Sequence, residues 1–163
     1  MILTPDERER VAAQAVAEYP YESCGVIVVR DGERRQLACR NQQNEQHARD
    51  PQKYPRDARK AYLIHSDDLR QIYELLEDGF AMAVIYHSHV DVGAYFSETD
   101  RSGAAPFGVP TYPQAIYVVT SVVERRVDAM AAFQWDAEKN NFLAVEDASL
   151  AVVPVTTDAR SSS

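Results

Sequence analysis

Four histidines occur in the 163 residues, His47, His65, His87 and His89, and the last two stand one residue apart. They follow Ala81 to Tyr86 (AMAVIY), an unbroken apolar run of the kind that forms a central strand covered on both faces. In an extended chain, residues i and i+2 project from the same face. Both imidazoles therefore share one side of the strand end, and Ser88 takes the other. Two same-face imidazoles make a natural pair of metal ligands, and strand ends in α/β sheets are where sites collect. A third ligand is available in Ser97-Glu98-Thr99-Asp100. If Ser97 caps a short helix, Asp100 sits in its first turn and can face back toward the strand end. Two neutral His and one Asp leave a fourth position open, the pattern of a catalytic rather than a structural zinc site. Zinc lowers the pKa of bound water to ~7, which gives a nucleophile at neutral pH. Such chemistry also needs a general base, and Glu22, just ahead of a strand opening at Gly25, is a candidate.

Together these residues spell H-x-H-x(7)-S-x(2)-D. The chance expectation for H-x-H at this composition is ~0.1 per chain, and adding Ser and Asp at fixed offsets lowers it to ~0.0005. The composite pattern therefore carries the reading, and H-x-H alone does not. The pattern resembles the JAMM signature of the MPN+ metalloprotease family, over roughly residues 3–135. That family also carries an upstream glutamate, matched by Glu22 in Tyr21-Glu22-Ser23-Cys24-Gly25. The resemblance implies a mixed β-sheet flanked by helices, similar to cytidine-deaminase-like folds, with one Zn²⁺ per chain. It implies His87, His89 and Asp100 as metal ligands. It assigns Glu22 to proton transfer from water to the leaving amine and Ser97 to the oxyanion. It further implies a stand-alone bacterial hydrolase acting on a ubiquitin-like or sulfur-carrier protein near a Gly-Gly C-terminus. One departure is Val90, where the family usually has Pro; it bears on loop stiffness after His89 and leaves the ligands alone.

Each residue also has a plainer reading. His87 and His89 read alone as structural histidines, Asp100 as an acid serving a helix dipole, Glu22 as a solvated acid and Ser97 as an N-cap. Cys24 near a Glu and a His could be a nucleophile, but a small thiol opening a core strand is the expected role, as for Cys39. His65 is expected to cap a helix rather than to ligate, and His47 has no evident role. Tyr86, Tyr95 and Phe96 are expected to pack. Two other functions stand beside the metalloprotease: a non-catalytic MPN-type interaction scaffold, and a cysteine hydrolase built on Cys24.

The elements that must position these residues are legible in part. Thr4-Pro5-Asp6-Glu7 reads as a capping box that opens a helix with Val11, Ala12, Ala15 and Val16 on one face, ended by Pro20. Gly25 to Arg30 and Arg34 to Arg40 read as a hairpin about Asp31-Gly32. Residues 41–60 read as one long loop, and Ala61 to Ile64 as a short strand. Ser66 opens a second helix with Leu69, Ile72, Tyr73, Leu75 and Leu76 on its apolar face and Gly79 at C′. Residues 90–114 are expected to be mostly loop, with a helical turn begun by Ser97. Ala115 to Ser121 and Val127 to Trp135 form a second hairpin, and Asn141 to Val145 a last strand. The sum is an α/β fold of one domain over residues 1–145, with 146–163 as a partly disordered tail.

Composition narrows the function classes. With 25 acidic against 17 basic side chains the formal net charge is −8, a poor match for nucleic acid or anionic membrane. No apolar run approaches the ~18 residues of a membrane span. Met1 to Glu7 have neither a basic n-region nor an apolar h-region, so no signal peptide is expected. Two cysteines give no disulfide framework, and a cytoplasmic, reduced protein is expected. Against the acidic background, residues 46–60 hold Arg49, Lys53, Arg56, Arg59 and Lys60 but only Asp50 and Asp57. One of the three arginines there is expected to clamp a substrate carboxylate or an acidic carrier face, if the loop does more than aid solubility. Composition sets no oligomeric state.

Overall fold

The computed structural model describes residues 1–152. Its elements are α1 (Pro5–Glu18), β1 (Cys24–Arg30), β2 (Glu33–Cys39), α2 (Gln43–Arg49), α3 (Ser66–Glu77), β3 (Ala81–Val90), α4 (Glu98–Ala104), β4 (Ile116–Val123), β5 (Arg126–Asp136) and β6 (Asn141–Val145). The six strands form one sheet in the order β2-β1-β3-β4-β5-β6. All neighbours are antiparallel except β3 and β4, which run parallel. A parallel pair cannot be joined by a tight turn and needs a crossover. Residues 91–115 supply it, with α4 inside.

Each face of the sheet carries its own apolar cluster. On one face, Ile2, Leu3 and Val11 pack with Ile27, Val84, Tyr86 and Val118. On the other, Ile72 of α3 and Ala104 of α4 pack with Val26, Met82, Ile85, Tyr117, Val119, Phe96 and Phe142. Met82 and Ile85 share a face although they stand three positions apart, an odd offset. The β1–β3 register explains this: Ile27 and Val28 oppose Val84 and Met82, so Ala83 is an extra residue, a bulge in β3. Without it, Met82 would face α1.

Local chemistry forms the ends as the sequence predicts. Thr4 and Glu7 exchange capping-box hydrogen bonds, and the buried Glu7 carboxylate also accepts from Arg34 Nε and Nη2 at 2.7 and 2.9 Å. The first hairpin turns on Asp31 and Gly32, both at positive φ, and the second on Glu124 and Arg125, likewise. At the end of α3, the Phe80 amide donates to Leu75 O and the Gly79 amide to Leu76 O, with Gly79 at φ 93°, a Schellman closure.

Four readings of the sequence need correction. The segment 41–60 is not all loop: Gln43–Arg49 is helical, with Gln43 buried. The expected strand at Ala61 to Ile64 is reduced to a single bridge between Asn41 and Ile64. α3 itself begins at Ser66, and its N-cap is His65, in the capping role expected of that histidine, with Nδ1 accepting from the Asp67 amide at 3.1 Å. Tyr73 leaves the apolar face of α3 and is half exposed. The chain past Val145 continues into a 3₁₀ turn, Ala148–Leu150, which buries Leu150 against the α1 cluster. The frayed end expected at Ser161 to Ser163 lies outside the described residues. Among the described residues, no helix is long and apolar enough to cross a membrane.

One glycine has no substitute. A Cβ on Gly25 would lie 2.1 Å from the Tyr86 hydroxyl and 2.6 Å from Leu37 O. Tyr86 crosses that space to donate to Gln14 Oε1 at 3.0 Å, and Gln14 Nε2 donates to Cys24 O at 2.8 Å, so the pair docks α1. Gly25→Ala is expected to cost about 2–3 kcal/mol or more through overpacking, a Tm fall of roughly 4–12 °C for a chain of this size. Calorimetry of the variant checks this, and an unchanged Tm would contradict the close approach.

Candidate metal centre

The site lies at the C-terminal end of β3, between its two neighbours. His87 and His89 leave β3 on the α3/α4 face, as period-two geometry requires, and Ser88 leaves on the other. Ser88 Oγ accepts there from the Ser23 amide at 2.7 Å, and the Ser88 amide donates to Ser23 O at 3.0 Å. This tie extends the register in which Cys24 faces His87. Glu22 therefore comes to stand opposite His89, on the same face as both imidazoles.

Asp100 arrives on the crossover. Ser97 is the N-cap of α4, and its hydroxyl accepts from the Asp100 amide at 3.0 Å. The Ser97 amide donates to Asp100 Oδ2 at 3.0 Å in return. This reciprocal box turns the carboxylate back toward the sheet. His87 Nε2 is 3.1 Å from Asp100 Oδ1, His89 Nε2 is 3.1 Å from Oδ2, and the two Nε2 atoms are 3.2 Å apart. All three residues are buried, and they form the one group of metal-ligating type that the described residues contain.

The proton positions decide what this group can hold. His89 Nδ1 lies 3.0 Å from Gly93 O. A carbonyl only accepts, so Nδ1 carries a proton, which leaves Nε2 as the ring atom available to a metal. Nε2 faces a carboxylate oxygen. Burial works against the Asp100 charge, yet His87, His89 and the Ser97 amide hold its carboxyl well below the usual range. Burial also lowers the pKa of His87, against the pull of Asp100. Two ring nitrogens and a carboxylate converging in a buried site need positive charge among them, a proton or a metal ion. Two neutral imidazoles and a carboxylate are the ligand types of zinc, and bonds of ~2.05 Å on a tetrahedron set ligands roughly 3.3 Å apart. The residues therefore fit a divalent metal.

Glu22 is 5% exposed. Its backbone is held on both sides: the amide donates to Ala58 O at 2.7 Å, and its carbonyl accepts from Asn41 Nδ2 at 2.9 Å. Its carboxylate takes no hydrogen bond among the described residues. Burial, then the Asp100 charge, pushes its pKa up to about 9, while Arg56 pulls it down. Of the three arginines singled out in residues 46–60, Arg56 is the one whose charge reaches Glu22. His65 caps α3, and His47 Nδ1 lies 2.7 Å from Tyr54 O. Neither joins the triad. Cys24 is fully buried, and burial pushes its thiol far above the ordinary value, with Cys39 pushed up to about 12. The turn after His89 is pinned despite Val90. Val90 still pairs with Val122, the Asp91 amide donates to Val122 O at 2.8 Å, and Ser121 Oγ donates to Val92 O.

Sequence reasoning missed Asn41, Tyr62, Gly93 and the Ser23–Ser88 tie. Asn41 uses all its capacity: Nδ2 donates to Glu22 O and Ala61 O, and Oδ1 accepts from the Gln43 and Leu63 amides. Tyr62 stacks on His87 with ring centroids 4.6 Å apart. Tyr95, expected only to pack, meets the His89 ring edge-on and stands half exposed. An asparagine at a strand end and tyrosines in loops carry no spacing that marks them.

The family described as prokaryotic homologs of the JAB domain matches residues 4–137, and the chain belongs to it. The fold is similar to the solution structure of a protein from Salinibacter ruber (strain DSM 13855), 26% identical, with a TM-score of 0.54 over 88% of this chain and 87% of that one. It is also similar to the solution structure of a Desulfitobacterium hafniense protein, 18% identical, with a TM-score of 0.58 over 88% of each chain. A comparison with curated proteins gave no match.

Two outcomes are expected. Elemental analysis of zinc-saturated protein after gel filtration should find about one equivalent. His87→Ala should lose most of it and His47→Ala none; full retention by a His87→Ala, Asp100→Ala double variant rejects the site. The second outcome concerns metal-free protein. A carboxyl that ionises near pH 4.5 when unfolded and near 9 when folded loses stability for the fold as pH rises through that window. Metal-free Glu22→Gln should therefore match wild type in Tm near pH 4.5 and exceed it increasingly toward pH 8. A constant difference across the range would show that Glu22 is not held in a dry site.

Proposed function

We propose that this protein is a zinc-dependent hydrolase that cleaves an amide bond at the C-terminal end of a ubiquitin-like or sulfur-carrier protein. The observation that carries the reading is the convergence of His87, His89 and Asp100 beside a buried, unbonded Glu22 carboxylate. A bound Zn²⁺ supplies Lewis acidity and a water activated near neutral pH. The chain supplies the rest. Asp100 is held in its orientation by the Ser97 amide. Burial of all four groups excludes bulk water and strengthens every charge interaction among them. Glu22, with no donor competing for its oxygens, takes the proton of the attacking water and passes it to the leaving amine as the C–N bond breaks. Burial and the Asp100 charge raise the pKa of Glu22 in the metal-free chain, and with positive charge held by His87, His89 and Asp100 its basic form would be favoured. The Ser97 hydroxyl spends a lone pair on the α4 cap and keeps its proton for the oxyanion. Arg56, at the rim beside Glu22, receives a free carboxylate beyond the cleaved bond. The buried, strongly protonated Cys24 is not a nucleophile. Two unpaired buried cysteines support a reducing, cytoplasmic setting.

Cleavage of a carrier protein extended by one residue beyond Gly-Gly tests the reading. The zinc-loaded protein should cleave it, chelator should abolish the reaction, and thiol alkylation should spare it. Glu22→Ala should keep zinc and lose ~10²–10⁴-fold in rate. Substrate ending in a free carboxylate should be preferred over its amide by ~10-fold, as a charge-assisted hydrogen bond of ~1.5–3 kcal/mol implies. Arg56→Ala should lose that preference and Arg49→Ala keep it. Zinc binding without cleavage would leave the non-catalytic scaffold as the function.

A further inference from the structure

We infer that Tyr62 is a positioning residue for the metal centre, its stacked ring holding the His87 rotamer that aims Nε2 at Asp100 and His89. The inference rests on the triad being a metal site and not on what the enzyme cleaves. It begins with an asymmetry between the two imidazoles. A metal-ligating His as a rule donates its second ring nitrogen to an oxygen that fixes the ring. His89 does so through Gly93 O. His87 does not: its Nδ1 is buried and has no hydrogen-bond partner among the described residues. The χ2 torsion of His has a broad well, so without such a bond the ring is not fixed by its own covalent preference.

Packing takes over that task. The Tyr62 ring lies over the His87 imidazole with centroids 4.6 Å apart and planes inclined by 25°. A ring stacked this closely blocks the rotation that would carry Nε2 out of the triad. Tyr62 also packs against the α3/α4-side cluster and is itself tied down. The residue before it accepts from Asn41 Nδ2 at 3.2 Å, and the residue after it donates to Asn41 Oδ1 at 3.0 Å. The same Asn41 amide holds the Glu22 carbonyl. One side chain thus sets the positions of the base and of the ring that orients a ligand. Tyr95 is no equivalent for His89, because it meets that ring edge-on and is 51% exposed.

Zinc affinity, measured by competition with a chromophoric chelator, tests the inference. Tyr62→Phe keeps the stack and should bind zinc within ~3-fold of wild type. Tyr62→Leu loses it and should bind ~10–100-fold more weakly, the range for supports around metal ligands. Should Tyr62→Leu not fold, Tyr62→Met replaces it with the same expectation. Ile72→Ala thins the same cluster from α3 without removing the stacked ring, and it should lower Tm while leaving affinity within ~3-fold. In cobalt-substituted protein, the ligand-field bands should match wild type in Tyr62→Phe and shift or broaden in Tyr62→Leu. Wild-type affinity and bands in a folded Tyr62→Leu or Tyr62→Met overturn the inference. So does a loss in Tyr62→Phe equal to that in Tyr62→Leu, or an equal loss in Ile72→Ala. Failure of wild type to bind zinc removes the metal centre and the inference with it. Zinc binding without carrier cleavage overturns the hydrolase reading alone.

Discussion

The site depends on β3 being shared between two neighbours that run in opposite senses. On one side β1 is antiparallel, and its register brings the residues before Cys24 alongside the end of β3. On the other side β4 is parallel, which forbids a hairpin and forces the chain across a crossover. The first pairing delivers Glu22 and the second delivers Ser97 and Asp100. Remove the parallel pairing, and the segment carrying Asp100 has no reason to pass over the end of β3. The bulge at Ala83 belongs to the same logic. It lets the strand satisfy the core at Met82 and still present His87 and His89 on the face where the crossover lies.

Electrostatics then separates this cluster from an ordinary buried network. Structural polar groups in cores come with partners that satisfy them. Here a carboxylate and two ring nitrogens converge, and a second carboxyl lies nearby with no hydrogen-bond donor among the described residues. Burial and the Asp100 charge raise the pKa of Glu22 to about 9, so its ionised form works against the fold near neutral pH. Such an arrangement costs stability and returns none in the metal-free protein. It becomes favourable when positive charge enters, which fits a site that could hold a metal better than a network that only holds the sheet together.

Much of this was legible in the sequence, for identifiable reasons. Period-two geometry places His87 and His89 together whatever the tertiary context, and a capping box fixes Ser97 and Asp100 relative to each other within one turn. Both are local rules that act over four residues or fewer. Strand ends, both positive-φ hairpin turns and the Schellman closure at Gly79 are local in the same way. What stayed hidden is non-local. α2 lies in a polar, proline-flanked stretch whose helix is anchored by Gln43 donating to Arg56 O across a loop. The Ala61 to Ile64 segment has the composition of a strand, but Asn41 takes the hydrogen bonds a neighbouring strand would have taken. Tyr62 and Asn41 act through contacts that no spacing in the chain encodes.

Ser97 shows where local rules stop and chemistry begins. As an N-cap, the position needs only an acceptor for the Asp100 amide, and Asp, Asn and Ser cap helices about equally well. The helix alone does not discriminate among them. An Asp there would have no proton left to give, and its charge beside Asp100 would disfavour ionisation of both carboxyls. An Asn keeps donors, but on a planar amide whose orientation the cap already fixes. A hydroxyl accepts in the cap and still turns its own proton toward a neighbouring oxygen. Of three residue types that cap α4 about equally well, serine is thus the one best suited to meet the oxyanion of the proposed reaction. Under the proposed hydrolysis, position 97 is thus accounted for by both demands at once, the helix start aiming the hydroxyl and the reaction using its proton.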